Sequence, residues 1–227
     1  MRLLLTSGGV ENPTILDALT AMLPKPIPEC TALCIPTAQY AHPYVGPGVK
    51  PWGFVTGNEQ SQMTQLGWRS VGLLELTALA SIDDERWKPL VHETDVFLAA
   101  GGDTLYLAHW MRESGMADML PALSGVWVGL SAGSMVMTPR IGEEFTSWTQ
   151  PSGDDRALGV VDFAIYPHLD HPMLPENTMA NAEAWFARID CPAYAIDDDT
   201  AIRVVDGEAD VVSEGRWRRF ARDESAN

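Results

Sequence analysis

The run Val126-Trp127-Val128-Gly129-Leu130-Ser131-Ala132-Gly133-Ser134-Met135 constrains the fold of this chain more than any other stretch. It is an apolar segment of strand length that stops at a serine held between two glycines, in the order Gly-x-Ser-x-Gly. A strand that turns this sharply into a helix needs glycine where a Cβ would clash, and it lifts the serine on a strained backbone at the carboxyl end of a sheet. The first amides of the following helix then point at whatever the serine attacks. Ser131 is therefore read as a nucleophile. The plainer alternative is that small residues simply pack a buried turn.

Composition narrows what surrounds that turn. With 227 residues, 46% apolar and 20% charged, the chain can bury one sizeable α/β core. A formal net charge of −16 argues against nucleic acid and anionic membrane surfaces as partners, since both demand a cationic face. No apolar run approaches the roughly 20 residues of a spanning helix, and Met1-Arg2-Leu3-Leu4-Leu5 is too short an apolar block for a signal peptide, so a cytoplasmic location is expected. Cys30, Cys34 and Cys191 are an odd number in mostly apolar settings and read as reduced, buried thiols. No matching His/Cys pair follows Cys30 and Cys34, and neither a metal nor a cofactor is expected.

In chain order, Arg2 to Thr6 reads as a buried parallel strand ending at Ser7-Gly8-Gly9, followed by a helix from Asn12-Pro13 to Pro24. Thr31 to Ile35 is a second strand. Gln39 to Gly57, rich in Pro, Gly, Tyr and His, is expected to be a long loop over the carboxyl ends of the strands, where α/β folds place ligands. Gln60 to Leu66 looks helical, Val71 to Leu76 is a third strand, and Asp84 to Val91 a short helix. Val96 to Ala100 is another buried strand. Its turn, Gly101-Gly102-Asp103-Thr104, exposes backbone N–H groups as an oxyanion site requires, and Asp103 is placed to cap the next helix. Because one helix separates this strand from the Ser131 strand, a right-handed crossover makes the two parallel neighbours. Both glycine turns then share one sheet edge.

A serine hydroxyl needs a base, and His168 and His171 are the candidates, since Leu158 to Tyr166 reads as a strand that delivers Pro167-His168-Leu169-Asp170-His171 at its end. Beyond it, Tyr194-Ala195-Ile196 and Ala201 to Val205 read as strands joined by the acidic turn Asp197-Asp198-Asp199, which is expected to be an Asp-rich turn rather than a cation site. Glu208 to Ser213 and Arg216 to Phe220 are expected to form a terminal hairpin across Glu214-Gly215. No repeat or linker interrupts the chain, so residues 1–222 form one domain and residues 223–227 a frayed tail.

Four separated motifs, Gly101-Gly102-Asp103-Thr104, Gly129-Leu130-Ser131-Ala132-Gly133-Ser134, Tyr166-Pro167-His168 and Ala195-Ile196-Asp197-Asp198-Asp199-Thr200-Ala201-Ile202, resemble in order and spacing the dipeptidase E and cyanophycinase family of serine peptidases. The resemblance runs from about Leu3 to Phe220. It implies a three-layer α/β sandwich with a mostly parallel sheet, flavodoxin-like and class I glutamine amidotransferase-like, closed by a C-terminal β-hairpin. It implies a metal-free Ser-His-acid site with Ser131 as nucleophile, His168 as base, and the amides of Gly102 and Ala132 as oxyanion hole. A homodimer acting on a small peptide is also implied.

The third catalytic member matches less closely. Dipeptidase E carries an aspartate about fifteen residues after its nucleophile, where this chain reads Glu143-Glu144-Phe145-Thr146. Glu144 is the expected acid, with Glu143 and Asp154 as rivals. Nor does the chain have the family's Gly-Glu-Thr-Arg segment, whose arginine binds an amino-terminal aspartate; Pro175-Glu176-Asn177-Thr178-Met179 stands there, which puts aspartyl specificity in doubt. Arg140 and Arg188 are the possible substitutes. The expectation is a serine peptidase working through an acyl-enzyme. An α/β-hydrolase-type esterase and a non-catalytic binding module on the same fold are the alternatives.

Overall fold

The computed structural model describes residues 1–43, 48–58 and 63–222. Strands β1 (Arg2–Thr6), β2 (Thr31–Ile35), β3 (Ser70–Leu73), β4 (Val96–Ala99) and β5 (Val126–Leu130) form a parallel block in the order β3-β2-β4-β5-β1. Between them run helices α1 (Pro13–Met22), α2 (Val49–Thr56), α3 (Leu76–Leu79), α4 (Asp84–His92), α5 (Thr104–Glu113) and α6 (Met116–Met119). The strands alternate between two cores. Leu3, Leu5, Phe97 and Trp127 face α3 to α6, while Leu4, Cys34, Leu98 and Val128 face α1 and Phe54 of α2. Burial on both faces is why these segments read as continuous apolar runs.

Two further strands, β8 (Thr200–Val205) and β9 (Glu208–Ser213), extend the sheet to seven by antiparallel pairing on β1. They are the C-terminal hairpin, turning at Asp206-Gly207. After β5 the chain makes the short helix α7 (Ala132–Met135) and then β6 (Ala164–Tyr166), α8 (Met179–Phe186) and β7 (Ala193–Ile196). The last strand, β10 (Trp217–Phe220), does not pair with β9 as expected. It runs antiparallel to β7, in a separate sheet of order β10-β7-β6. Ile165, Tyr194 and Ile196 join the main core, and Ala164, Tyr166, Ala193 and Phe220 pack with Trp185 of α8. Trp217, Arg218 and Arg219 of β10 are exposed and Phe220 alone is buried, so pairing on β7 is what covers Phe220.

Several local expectations differ from what is observed. The segment expected as one long loop contains a 3-10 turn at Thr37–Tyr40 and the helix α2, closed by Gly57 in a left-handed conformation. Of the helix expected over 60–66, residues 60–62 lie outside the described residues and 63–66 form turns. The strand expected from Leu158 shrinks to Ala164–Tyr166, because the preceding residues bond back to the segment after α7 through contacts such as Gly159 N to Thr138 O, 2.8 Å. The tail at 223–227 lies outside the described residues.

Candidate active site

Ser131 stands between β5 and α7 with φ 48° and ψ −108°, a region that a residue with a Cβ rarely occupies. Such a conformation costs about 1–3 kcal/mol and persists only where its surroundings fix it. Here they do: the Ser131 amide donates to Thr6 O at 3.0 Å, and Ser134 Oγ donates to Thr6 O and Gly129 O at 2.7 and 2.8 Å. The elbow is thereby tied to the end of β1.

The Gly101-Gly102 turn lies beside it, since β4 and β5 are parallel neighbours with Ala99 opposite Gly129. Gly102 has φ 136°, and a Cβ there would come within 2.4 Å of the Ala38 carbonyl, so glycine is required. Asp103 caps α5 by accepting from Tyr106 N at 2.8 Å. Its second oxygen accepts from Ser147 Oγ and from Trp148 N at 2.7 Å, which ties the acidic segment after α7 to this turn.

His168 arrives from the other sheet. It also has positive φ, 53°, and its amide donates to Ser7 Oγ at 3.1 Å, while Ser7 Oγ donates to Ile196 O at 3.1 Å. One hydroxyl thus joins the ends of β1 and β7 to the histidine. The imidazole Nε2 lies 2.9 Å from Ser131 Oγ, and Nδ1 lies 2.7 Å from Asp198 Oδ1. Asp198 sits in the turn between β7 and β8, directly against Gly8, where a Cβ would approach Asp198 Cβ to 2.9 Å. Burial alone would raise the Asp198 carboxyl, but the hydrogen bond with His168 and the charges of His168 and His171 hold it below the ordinary carboxylate value. Glu11 is pushed the other way, by burial first and then by Asp198 and Asp199.

The acid beside His168 is therefore Asp198, not Glu144. Glu144 reaches the same cavity from its rim but pairs with Arg188. Glu143 is exposed, and Asp154 accepts from Gln150 Nε2 and Ser152 Oγ at 2.6 and 3.1 Å. The segment is turned away from the histidine by its own anchor: Asp155, buried, takes Arg140 at 2.8 Å and the Gly142 amide at 2.8 Å. The only signal for Asp198 in the sequence was a turn rich in aspartate after a strand; its place beside His168 comes from sheet pairing. β6 and β7 are parallel neighbours, so the residues that follow them emerge at one edge, just as those after β4 and β5 do.

The cavity over Ser131 has a volume of about 530 Å³. Phe54, Leu130, Met135, Phe145 and Leu174 supply apolar wall, Gln39 and Asn177 carboxamides, and Lys50 and Glu144 opposite charges at its rim. Gly102 opens onto it as well. Arg140 is engaged by Asp155 and by Asp190 at 3.3 Å, and Arg188 by Glu144, so both arginines considered for specificity are held by acids. Among the described residues no group of three or more His, Cys, Asp or Glu side chains is arranged to hold a metal ion, and no helix is long and apolar enough to cross a membrane.

The sequence model of peptidase family S51 matches residues 3–212 of the chain. Solved structures that share the fold include the following two. A protein from Listeria monocytogenes EGD-e named for peptidase E is 19% identical with a TM-score of 0.70, over 94% of this chain and 98% of that one. A peptidase from an acI-B1 Actinobacterium is 18% identical with a TM-score of 0.67, over 98% and 95%. No curated protein sequence matches the chain.

Proposed function

Because the chain belongs to peptidase family S51, and is a peptidase on that ground, we propose that it hydrolyses a small peptide or related amide through an acyl-enzyme, with Ser131 as nucleophile, His168 as base and Asp198 as orienting acid. The observation that supports this reading is the unbroken relay from Ser131 Oγ through the imidazole, 2.9 Å and 2.7 Å, to a carboxylate. With Asp198 on Nδ1, the Nδ1 proton is held there and Nε2 is left as the acceptor that a serine proton requires.

Ser131 Oγ attacks the scissile carbonyl carbon as its proton passes to Nε2. Negative charge gathers on the carbonyl oxygen, where the amides of Gly102 and Ala132 are the donors proposed to receive it. Neither amide is used in backbone pairing among the described residues. Nε2–H then protonates the leaving amine, and a water activated by the same nitrogen releases the acyl group.

The cavity suits a short substrate. The net charge of −16 favours neutral or cationic peptides over acidic ones, while at the rim Glu144 is paired with Arg188 and Lys50 carries the opposite charge. Aspartyl selectivity is not part of the proposal, because Asn177, whose side-chain Nδ2 donates to Pro167 O at 3.0 Å, stands in the segment where dipeptidase E carries its arginine. The test is hydrolysis of a panel of dipeptides and aminoacyl 4-nitroanilides, with labelling by a fluorophosphonate probe located by mass spectrometry. Wild type should cleave members of the panel and be labelled at Ser131, and Ser131→Ala should do neither. Hydrolysis surviving in Ser131→Ala overturns the reading.

A further inference from the structure

The carboxylate of Asp198 faces two imidazoles, and the relay uses one. His171 Nε2 lies 3.5 Å from Asp198 Oδ2, longer than a good hydrogen bond but close enough for a directed electrostatic contact, while His168 holds Oδ1. The proton on His171 can be assigned. Met173 N is 3.1 Å from His171 Nδ1, and a backbone N–H can only donate, so Nδ1 is the acceptor and the neutral ring carries its proton on Nε2, toward Asp198. The ring is held by the turn that carries both histidines. His171 N donates to His168 O at 3.2 Å, and the two rings lie 6.0 Å apart, edge to face. His171 is not part of the wall of the Ser131 cavity.

We infer that His171 is a positioning residue, which acts through Asp198 by holding the carboxylate anionic and turned toward His168. The inference rests on the Ser131–His168–Asp198 reading above. The turn needs such a group because it is crowded with acids. Glu11 feels the charges of both Asp198 and Asp199, Asp197 precedes Asp198, and Asp170 on the histidine turn is tied to Arg216 at 2.6 Å. An N–H directed at Oδ2 offsets that repulsion and leaves Oδ1 for His168. Protonated His171 does the same at lower pH, and then also opposes a second positive charge on His168.

Both states act in one direction on the base, so their removal has a signed consequence. Without His171 the His168–Asp198 pair is more negative and takes up its proton at higher pH. Glu11, Asp170, Asp197, Asp199 and Arg216 remain in place in the variants and cancel from the comparison.

The experiment measures the second-order rate of Ser131 labelling by a fluorophosphonate probe from pH 5 to 9, which needs no knowledge of the natural substrate. Wild type, His171→Phe, His171→Gln and Asp198→Asn are compared. His171→Phe should move the acid limb of the profile to higher pH. His171→Gln, which keeps a neutral donor in a side chain of similar reach, should fall between it and wild type. A His171→Phe limb that superimposes on wild type, or that His171→Gln shares in full, overturns the role of His171. Asp198→Asn labelled as fast as wild type overturns the underlying relay instead, and the inference with it.

Discussion

Two acidic segments approach the serine, and they behave differently. The stretch from Gly142 to Arg156 carries Glu143, Glu144, Asp154 and Asp155, yet each of its acids is either exposed or bonded within or beside its own loop. The turn Asp197-Asp198-Asp199 is shorter, and one of its carboxylates lies half-buried between two imidazoles. What separates them is where the flanking backbone is fixed. The first segment hangs from Asp103 and Asp155, pointing its remaining acids outward. The second bridges β7 of the small sheet and β8 of the large one, at the point where Ser7 and Ile196 already hold the His168 backbone. An acid reaches His168 because strands bring it there, whatever its distance from Ser131 along the chain.

That contrast can be broken or sharpened by substitution. The largest effect is expected from His168→Ala, the residue common to every version of the relay, with a fall in kcat of about 10⁴ to 10⁶-fold in a protein that still unfolds cooperatively. A smaller fall, under about a hundredfold, would place proton transfer elsewhere. Asp155→Asn should do the opposite. It removes the negative charge and one of the two oxygens that accept from Arg140 and the Gly142 amide, so stability should drop by about 1–3 kcal/mol in urea titrations while kcat per folded molecule changes little. Acid should reveal the same division. Asp155 is held below the ordinary carboxylate value despite burial, by Arg140 and the Gly142 amide, and Asp198 by its histidines. Depressed folded values contribute stability that is complete above the unfolded value near pH 4 and is lost as pH falls through the folded ones. The melting temperature should therefore decline below about pH 4, and less steeply in Asp155→Asn. Arg188→Gln, which releases Glu144 from an exposed pair, should change stability by no more than about 1 kcal/mol.

Much of this was legible in the residues. The parallel block follows from apolar runs that end in glycine or proline, the elbow from Gly129 and Gly133, and the neighbourhood of Gly102 and Ser131 from a single intervening helix. His168 and its own strand were likewise readable. What failed was long-range pairing. β10 and β9 are adjacent in sequence and look like a hairpin, but burial of Phe220 sends β10 to β7. The same kind of error put the acid at Glu144. Local spacing gave it a place near the serine, while the sheet pairing that carries Asp198 to His168 has no local signature beyond a turn rich in aspartate. α2 was hidden for a different reason, since Gly48, Pro51 and Gly53 within and around it suppress helical periodicity.

The most direct measurement is kcat/KM for Asp198→Asn beside Glu144→Gln on one cleaved member of the peptide panel. A carboxylate that fixes the imidazole tautomer is worth about 10⁴-fold. Asp198→Asn should fall by about that factor and Glu144→Gln should stay within about tenfold of wild type. Loss of activity in Glu144→Gln with Asp198→Asn near wild type would contradict the assignment of Asp198.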